Sequence, residues 1–410
     1  MTNDMTTIIR TYNDTELLQY LQLIENEGNH QKVMEMCTHY VYGSGKKDCT
    51  TLMLALTLNK SKEVISKLIE IGGRELVMVM SNQIYGYSNA LHYACMKLNI
   101  SNDIVLKLIE VGGRELVMMN SILGTALHCV CKNSSLSMNI VSKLIDVGGS
   151  ELVNMRNPQW GETALHEACK NQSVFVDVIS KLVEVGGRDL VHMKDERYGF
   201  NPLHRACQNK DASIDVVSKL IEVGGPELVL IENHSETALH YACSRNESMS
   251  RIDIVSKLIE VGGRELVMMN SMTGTALHFA CNNVSLSIDI VSKLIEVGGP
   301  ELVNTKNLQS WSRTALHEAC KNKYASIDII SKLIEVGGRD LVHIKDQRFG
   351  FTALHEACQN ENASIEIVSK LIEVGGQELV LVNSDFHGTA LNCICYNENV
   401  LIDIVTKLLA

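Results

Sequence analysis

Between positions 176 and 184, Val178, Ile179, Leu182 and Val183 fall at helical spacing while Asp177, Lys181 and Glu184 fill the gaps between them. Such a stripe predicts an amphipathic helix with one buried and one solvated face. Upstream, Leu165, Ala168 and Cys169 lie at i, i+3 and i+4 behind Thr163, whose hydroxyl suits a helix N-cap. A short first helix and a longer second helix are therefore expected. Asn171, two positions after Cys169, tolerates the left-handed conformation that ends a helix, and Gly186-Gly187 supplies the terminator of the second. Apolar Leu190 and Val191 follow, then a polar stretch to Gly199 long enough for a projecting turn or hairpin.

The pattern repeats along the chain. The leucine of Thr-Ala-Leu-His, or its variant, recurs at Leu52, Leu91, Leu127, Leu165, Leu203, Leu239, Leu277, Leu316, Leu354 and Leu391, marking ten units 36 to 39 residues apart. Downstream of each, Ile-Val-Ser-Lys-Leu-Ile-Glu-Val-Gly-Gly returns with little change, and only the last unit lacks the double glycine. One unit cannot bury both of its helices, so neighbours must stack into a solenoid. A larger period lies above the small one. Residues 114–149 match 264–299 at 27 of 36 positions, and 188–225 match 339–376 at 28 of 38. A four-unit block near 114–263 is thus duplicated near 264–410, and Trp160 pairs with Trp311, Tyr198 with Phe349 and Phe200 with Phe351.

The run Thr163-Ala164-Leu165-His166-Glu167-Ala168-Cys169, the following Ile-Val-x-x-Leu and a tip closing at Gly199 resemble the ankyrin repeat across 50–410. The resemblance implies an all-α, ankyrin-like α-solenoid of stacked helix-turn-helix repeats with projecting tip loops or hairpins. Only Pro202 keeps the proline of the family's Thr-Pro-Leu-His, the Gly-His between the helices is missing, and both connections are longer than usual. Residues 1–49 lack the signature, but Leu17, Leu18, Leu21 and Ile24 at helical spacing and a second candidate helix at 30–42 predict an N-terminal helical cap. The chain ends inside the second helix of its tenth unit at Leu408-Leu409-Ala410. That ending predicts a fragment of a larger protein or a self-associating end, and otherwise a monomer.

Composition narrows the function. The 410 residues carry 48 acidic and 37 basic side chains for a net charge of -11, a sign that repels phosphate and makes nucleic acid and anionic membrane poor partners. No 18-residue apolar run and no secretory signal is present, so an intracellular, cytoplasmic and reducing setting is expected. There the 13 cysteines are expected as thiols, and the nine that share one slot, Cys95 through Cys395, as small buried apolar residues. Packed layers roughly 10 Å apart exceed disulfide reach.

Catalytic chemistry finds little support. Eight histidines share the signature slot, from His92 to His355, one per layer and too far apart for a zinc site. Hydrogen bonding from each to the neighbouring tip accounts for them. Gly43-Ser44-Gly45-Lys46-Lys47 resembles a phosphate loop only in part and reads as a link after the cap. No nucleophile, base and orienting acid stand apart from the repeats, so no enzyme, no cofactor and no metal is expected. Large side chains gather in the tips instead. Tyr85, Trp160, Arg197, Tyr198, Trp311, Arg348, Phe349 and Phe386 combine aromatic rings with arginine, the composition of binding hot spots. The resulting expectation is a scaffold or adaptor that holds a protein partner on its concave helix face and tips. The alternative is a targeting or regulatory segment of a larger enzyme or channel.

Overall fold

The computed structural model describes residues 5–26, 50–81, 87–97, 99–133, 137–173, 176–244, 250–283, 287–307, 309, 311–362, 364–395 and 402–409. The second candidate cap helix at 30–42, the glycine-rich link at 43–47 and Tyr85 lie outside the described residues. The chain divides into two compact units, one of Met1–Asn209 with Glu222–Gly224 and one of Lys210–Ile221 with Gly225–Ala410.

Within each unit the chain alternates a first helix of six or seven residues with a longer second helix, as in Ala164–Lys170 followed by Val176–His192. The expected stripes are buried: Leu165, Ala168, Val178, Ile179 and Leu182 are fully sealed from solvent. Inside each unit neighbouring first helices pack on one another, as Ala126–Lys132 does on Ala164–Lys170, and second helices do the same, as Met138–Asn154 does on Val176–His192. Small Ala168 and Cys169 allow the close approach, and each fully buried Leu, Ile or Val contributes about 1.5–3 kcal/mol. At the start, helices Met5–Thr11 and Asp14–Asn26 lie on the first repeat. Leu17 and Leu21 are buried there, while Lys60 Nζ donates to Tyr12 O at 2.7 Å and Ser61 N to Asp14 Oδ2 at 2.8 Å.

Asn171 ends its helix differently from the sequence expectation. Its backbone is extended, at φ -74° and ψ 124°, and not left-handed. Its side-chain amide instead donates to Cys131 O and Asn133 O of the preceding repeat, both at 2.9 Å. Asn209 does the same to Cys169 O and Asn171 O, and Asn360 to Cys320 O and Asn322 O. The carbonyls left without partners at a helix C-terminus are thus satisfied by the next repeat. The asparagines form a ladder along each unit.

The double glycine also does more than stop a helix. Gly187 sits at φ 69° and ψ -167°, a backbone region open essentially to glycine alone, and the chain resumes as a further helical turn through His192. Leu190 and Val191, expected to begin the tip, belong to that turn and are buried. Gly186 is fixed by space: a Cβ there would meet Leu190 Cδ2 at 2.4 Å. At Gly187 a Cβ would meet nothing within 4 Å, so Gly187→Ala isolates the backbone cost. That substitution should destabilise the first unit by about 1–3 kcal/mol in denaturant unfolding. A neutral result would show that the kink is relaxed.

Arginines close the same kinks. Arg114 Nη1 donates to Val147 O and Gly148 O at 2.9 and 2.7 Å, while its Nη2 pairs with Glu151 at 2.6 Å. Arg264 repeats the arrangement on Val297, Gly298 and Glu301. These pairs are exposed, so their charges add little, and their main role is to occupy helix-terminal carbonyls. Beyond each kink the tips are tight hairpins, closed at Arg156 with Thr163, at Lys306 with Thr314, and at Asn270–Ser271 with Gly274–Thr275.

Candidate functional site

Signature histidines anchor tips from the neighbouring repeat. Thr163 N donates to His166 Nδ1 at 3.1 Å, and His166 Nε2 lies 3.0 Å from Phe200 O in the next tip. These partners assign the neutral tautomer with Nδ1 accepting and Nε2 carrying the proton. His128, His278 and His317 make the same contact to Glu162 O, Arg313 O and Phe351 O. Burial pushes the pKa of His166 down to about 4, against the pull of the Phe200 carbonyl and Glu162. The histidines therefore act as neutral braces between repeats. No group of three or more His, Cys, Asp or Glu among the described residues is placed to hold a metal ion.

The expected aromatic residues lie on these braced tips. Trp160 is half-buried, and the Arg197 guanidinium sits over its ring at 5.6 Å and over Tyr198 at 4.9 Å. In the second unit Trp311 is 49% exposed, with Arg348 over its ring at 5.2 Å and over Phe349 at 4.6 Å. The tip backbones are joined at the same residues: Glu196 N donates to Trp160 O at 2.9 Å, Gln347 N to Trp311 O at 2.7 Å and Asp385 N to Phe349 O at 2.7 Å. Phe386, at 78% exposure, is the most open of the candidate rings among the described residues. Two groups, Trp160 with Arg197 and Tyr198 and Trp311 with Arg348 and Phe349, are thus assembled, one in each unit. The second tip is also more strained. Trp311 and Ser312 both adopt left-handed φ values, 72° and 57°, where the first tip uses Gly161.

Below each tip lies a charge cluster, and its polarity is reversed between the two blocks. In the first, Glu162 Oε1 lies 2.8 Å from Arg205 Nη2, which also reaches Asp195 Oδ2 at 2.9 Å. Lys170 Nζ meets Glu162 at 2.6 Å and Glu167 at 3.0 Å. In the duplicate, Arg313 replaces Glu162 and Glu356 replaces Arg205, while Asp346, Glu318 and Lys321 stand where Asp195, Glu167 and Lys170 stood. Arg313 pairs with Glu356 and with Asp346 at 3.1 Å, and lies 3.9 Å from Glu318. A buried pair whose two ends have exchanged residues is coupled, because either change alone leaves like charges facing each other out of water.

The exchange alters the electrostatics. Burial would raise the carboxyl of Glu162, but Lys170 and Arg205 outweigh it and hold the pKa below its usual value. Glu356 is raised to about 7, by burial and by Asp346 and Glu318 against the attraction of Arg313 and Lys321. Lys321 has also lost the glutamate that holds Lys170, and forms no ion pair with the described residues. Above this second cluster opens a groove of about 420 Å³, lined by Phe279, Trp311, Lys321, Arg348 and Phe349 together with Arg313, Glu318 and Glu356 of the cluster itself. Glu162, Arg205, Arg313 and Glu356 do not stand out in the repeat pattern taken one unit at a time. Their signal lay in the mismatches between the blocks, where Glu and Arg trade places around an unchanged aspartate.

Family models described as ankyrin repeats in three copies match residues 91–193, 127–230 and 175–266, and one described as a single ankyrin repeat matches 349–382. The chain belongs to the ankyrin repeat family. A search of curated proteins gave no match.

Proposed function

We propose that this chain is an intracellular scaffold or adaptor that holds a protein partner against its tips and the adjoining first-helix face. Ankyrin repeats are protein-interaction modules, typically without catalysis. The proposed layout is ten repeats over 50–410 with 1–49 as the N-terminal cap. The observation that carries the reading is the placement of large, partly open rings, Trp160, Tyr198, Trp311, Phe349 and Phe386, on tips whose backbones are hydrogen-bonded to one another. A preordered surface of this kind lowers the entropy cost of association, and aromatic side chains with arginine dominate interface energies. No helix among the described residues is long and apolar enough to cross a membrane.

The test is affinity capture with crosslinking from native extract. A W160A/W311A variant should retain its helical circular dichroism and lose at least about tenfold in recovery of the protein that the wild-type chain captures. Equal recovery with the fold intact would remove the two tips from the binding surface.

A further inference from the structure

We propose that the two tip clamps, Trp160–Arg197–Tyr198 and Trp311–Arg348–Phe349, are equivalent docking sites for an acidic peptide segment of a partner, each guanidinium taking one carboxylate. The inference rests on the interaction reading above and names the chemistry of the partner.

The arginines of the chain differ sharply in what they hold. Arg74, Arg114, Arg264 and Arg339 are each engaged by a glutamate of the following repeat. Arg156 donates to Gly161 O and Lys194 O, while Arg205 and Arg313 are sunk in carboxylate clusters. Arg197 and Arg348, at matching places in the duplicated blocks, form no ion pair with the described residues although the chain carries a net charge of -11. Each instead rests over two aromatic rings.

A guanidinium whose charge is held by rings and not by a carboxylate still has N–H donors to offer, and its planar fork matches a carboxylate with two parallel hydrogen bonds. Placement beside two rings also restricts the side chain, so less rotamer entropy is lost when the carboxylate arrives. In the second unit the clamp borders the groove of about 420 Å³, where Phe279 and Phe349 offer apolar contact. Lys321, left without the partner of Lys170 by the Glu-to-Arg exchange, lines the same groove and suits a second carboxylate, while the groove's own Glu318 and Glu356 lie against Arg313. An acidic segment with an apolar side chain between its carboxylates fits this wall. The net negative charge of the chain opposes polyanions such as nucleic acid and leaves room for a few local carboxylates.

Trp160 and Trp311 are the only tryptophans, so their fluorescence reports on both clamps. The full chain is titrated with a short peptide alternating Glu and Leu, and with the same peptide carrying Gln for Glu. The Glu peptide should give a saturable change in tryptophan emission that the Gln peptide does not. R348Q should remove about half of the emission change and leave the first clamp's response in place, and R197Q/R348Q should abolish it. A response equal for Gln and Glu peptides, or unchanged in the double arginine variant, would overturn the proposal. So would saturation only by a phosphoserine peptide or a single-stranded oligonucleotide. A chain that ignores the Glu peptide yet still loses its captured partner in W160A/W311A overturns the acidic-peptide inference alone. Capture unaffected by W160A/W311A removes the broader reading as well.

Discussion

Replacing Glu162 by Arg alone should destabilise the first unit by about 3–5 kcal/mol, because the new guanidinium would be buried against Arg205 and Lys170 without a counterion of its own. Arg205→Glu should cost a similar amount by setting a further carboxylate against Glu162 and Asp195 and removing the guanidinium that pairs with both. The double exchange E162R/R205E should recover most of the loss, since Arg313 and Glu356 already hold that arrangement around the same aspartate in the second unit. Denaturant unfolding followed by circular dichroism and tryptophan emission measures the cycle. A double variant whose loss equals the sum of the singles would mean that the two positions are uncoupled.

Acidification from pH 7 towards pH 4 should unfold the protein cooperatively through its buried histidines. Burial lowers His92, His128, His166, His240, His278 and His317 to about 4. An unfolded histidine titrates near 6.5, so between that value and about 4 the unfolded chain binds more protons than the folded one. Stability therefore falls as pH drops through this window. Each histidine contributes about 3 kcal/mol across it, and six together exceed the 5–15 kcal/mol typical of a folded domain. Glu356, raised to about 7, acts in the opposite sense, since its ionisation on raising the pH is unfavourable in the fold. One carboxyl does not offset six imidazoles. The chain supplies its own control: Asn392 fills the histidine slot of the last repeat, and its Oδ1 accepts from Thr389 N at 3.0 Å as Nδ1 does elsewhere. H166N should therefore weaken the acid dependence measured by circular dichroism. Helicity unchanged down to pH 4 would contradict the neutral-brace role.

The repeat and its two main helices were legible in the sequence because periodic burial of Leu165, Ala168, Leu182 and Val183 leaves a pattern within a few residues. The histidine's link to the next tip was legible too, since a buried imidazole needs partners and the neighbouring turn offers carbonyls. Other features set by contacts between repeats were hidden. Asn171 suggested a local left-handed cap, but its amide is used about 40 residues away, on Cys131 O. Gly186-Gly187 suggested a stop, but only the tertiary burial of Leu190 and Val191 decides that the helix resumes after the kink. The aromatic tips stood out by residue type. The clusters beneath them did not, because Glu and Arg in a repeat look like ordinary surface charge until both members are seen to be buried.

The most direct test of a tip-mediated interaction is to place a photocrosslinking residue at position 311 or at position 181 and expose each chain to the captured partner. Position 311 lies on the second clamp, whereas position 181 lies between the apolar positions of a second helix. Strong crosslinking from 311 and none from 181 is the expected result. Crosslinking from 181 with silence at 311 would contradict it.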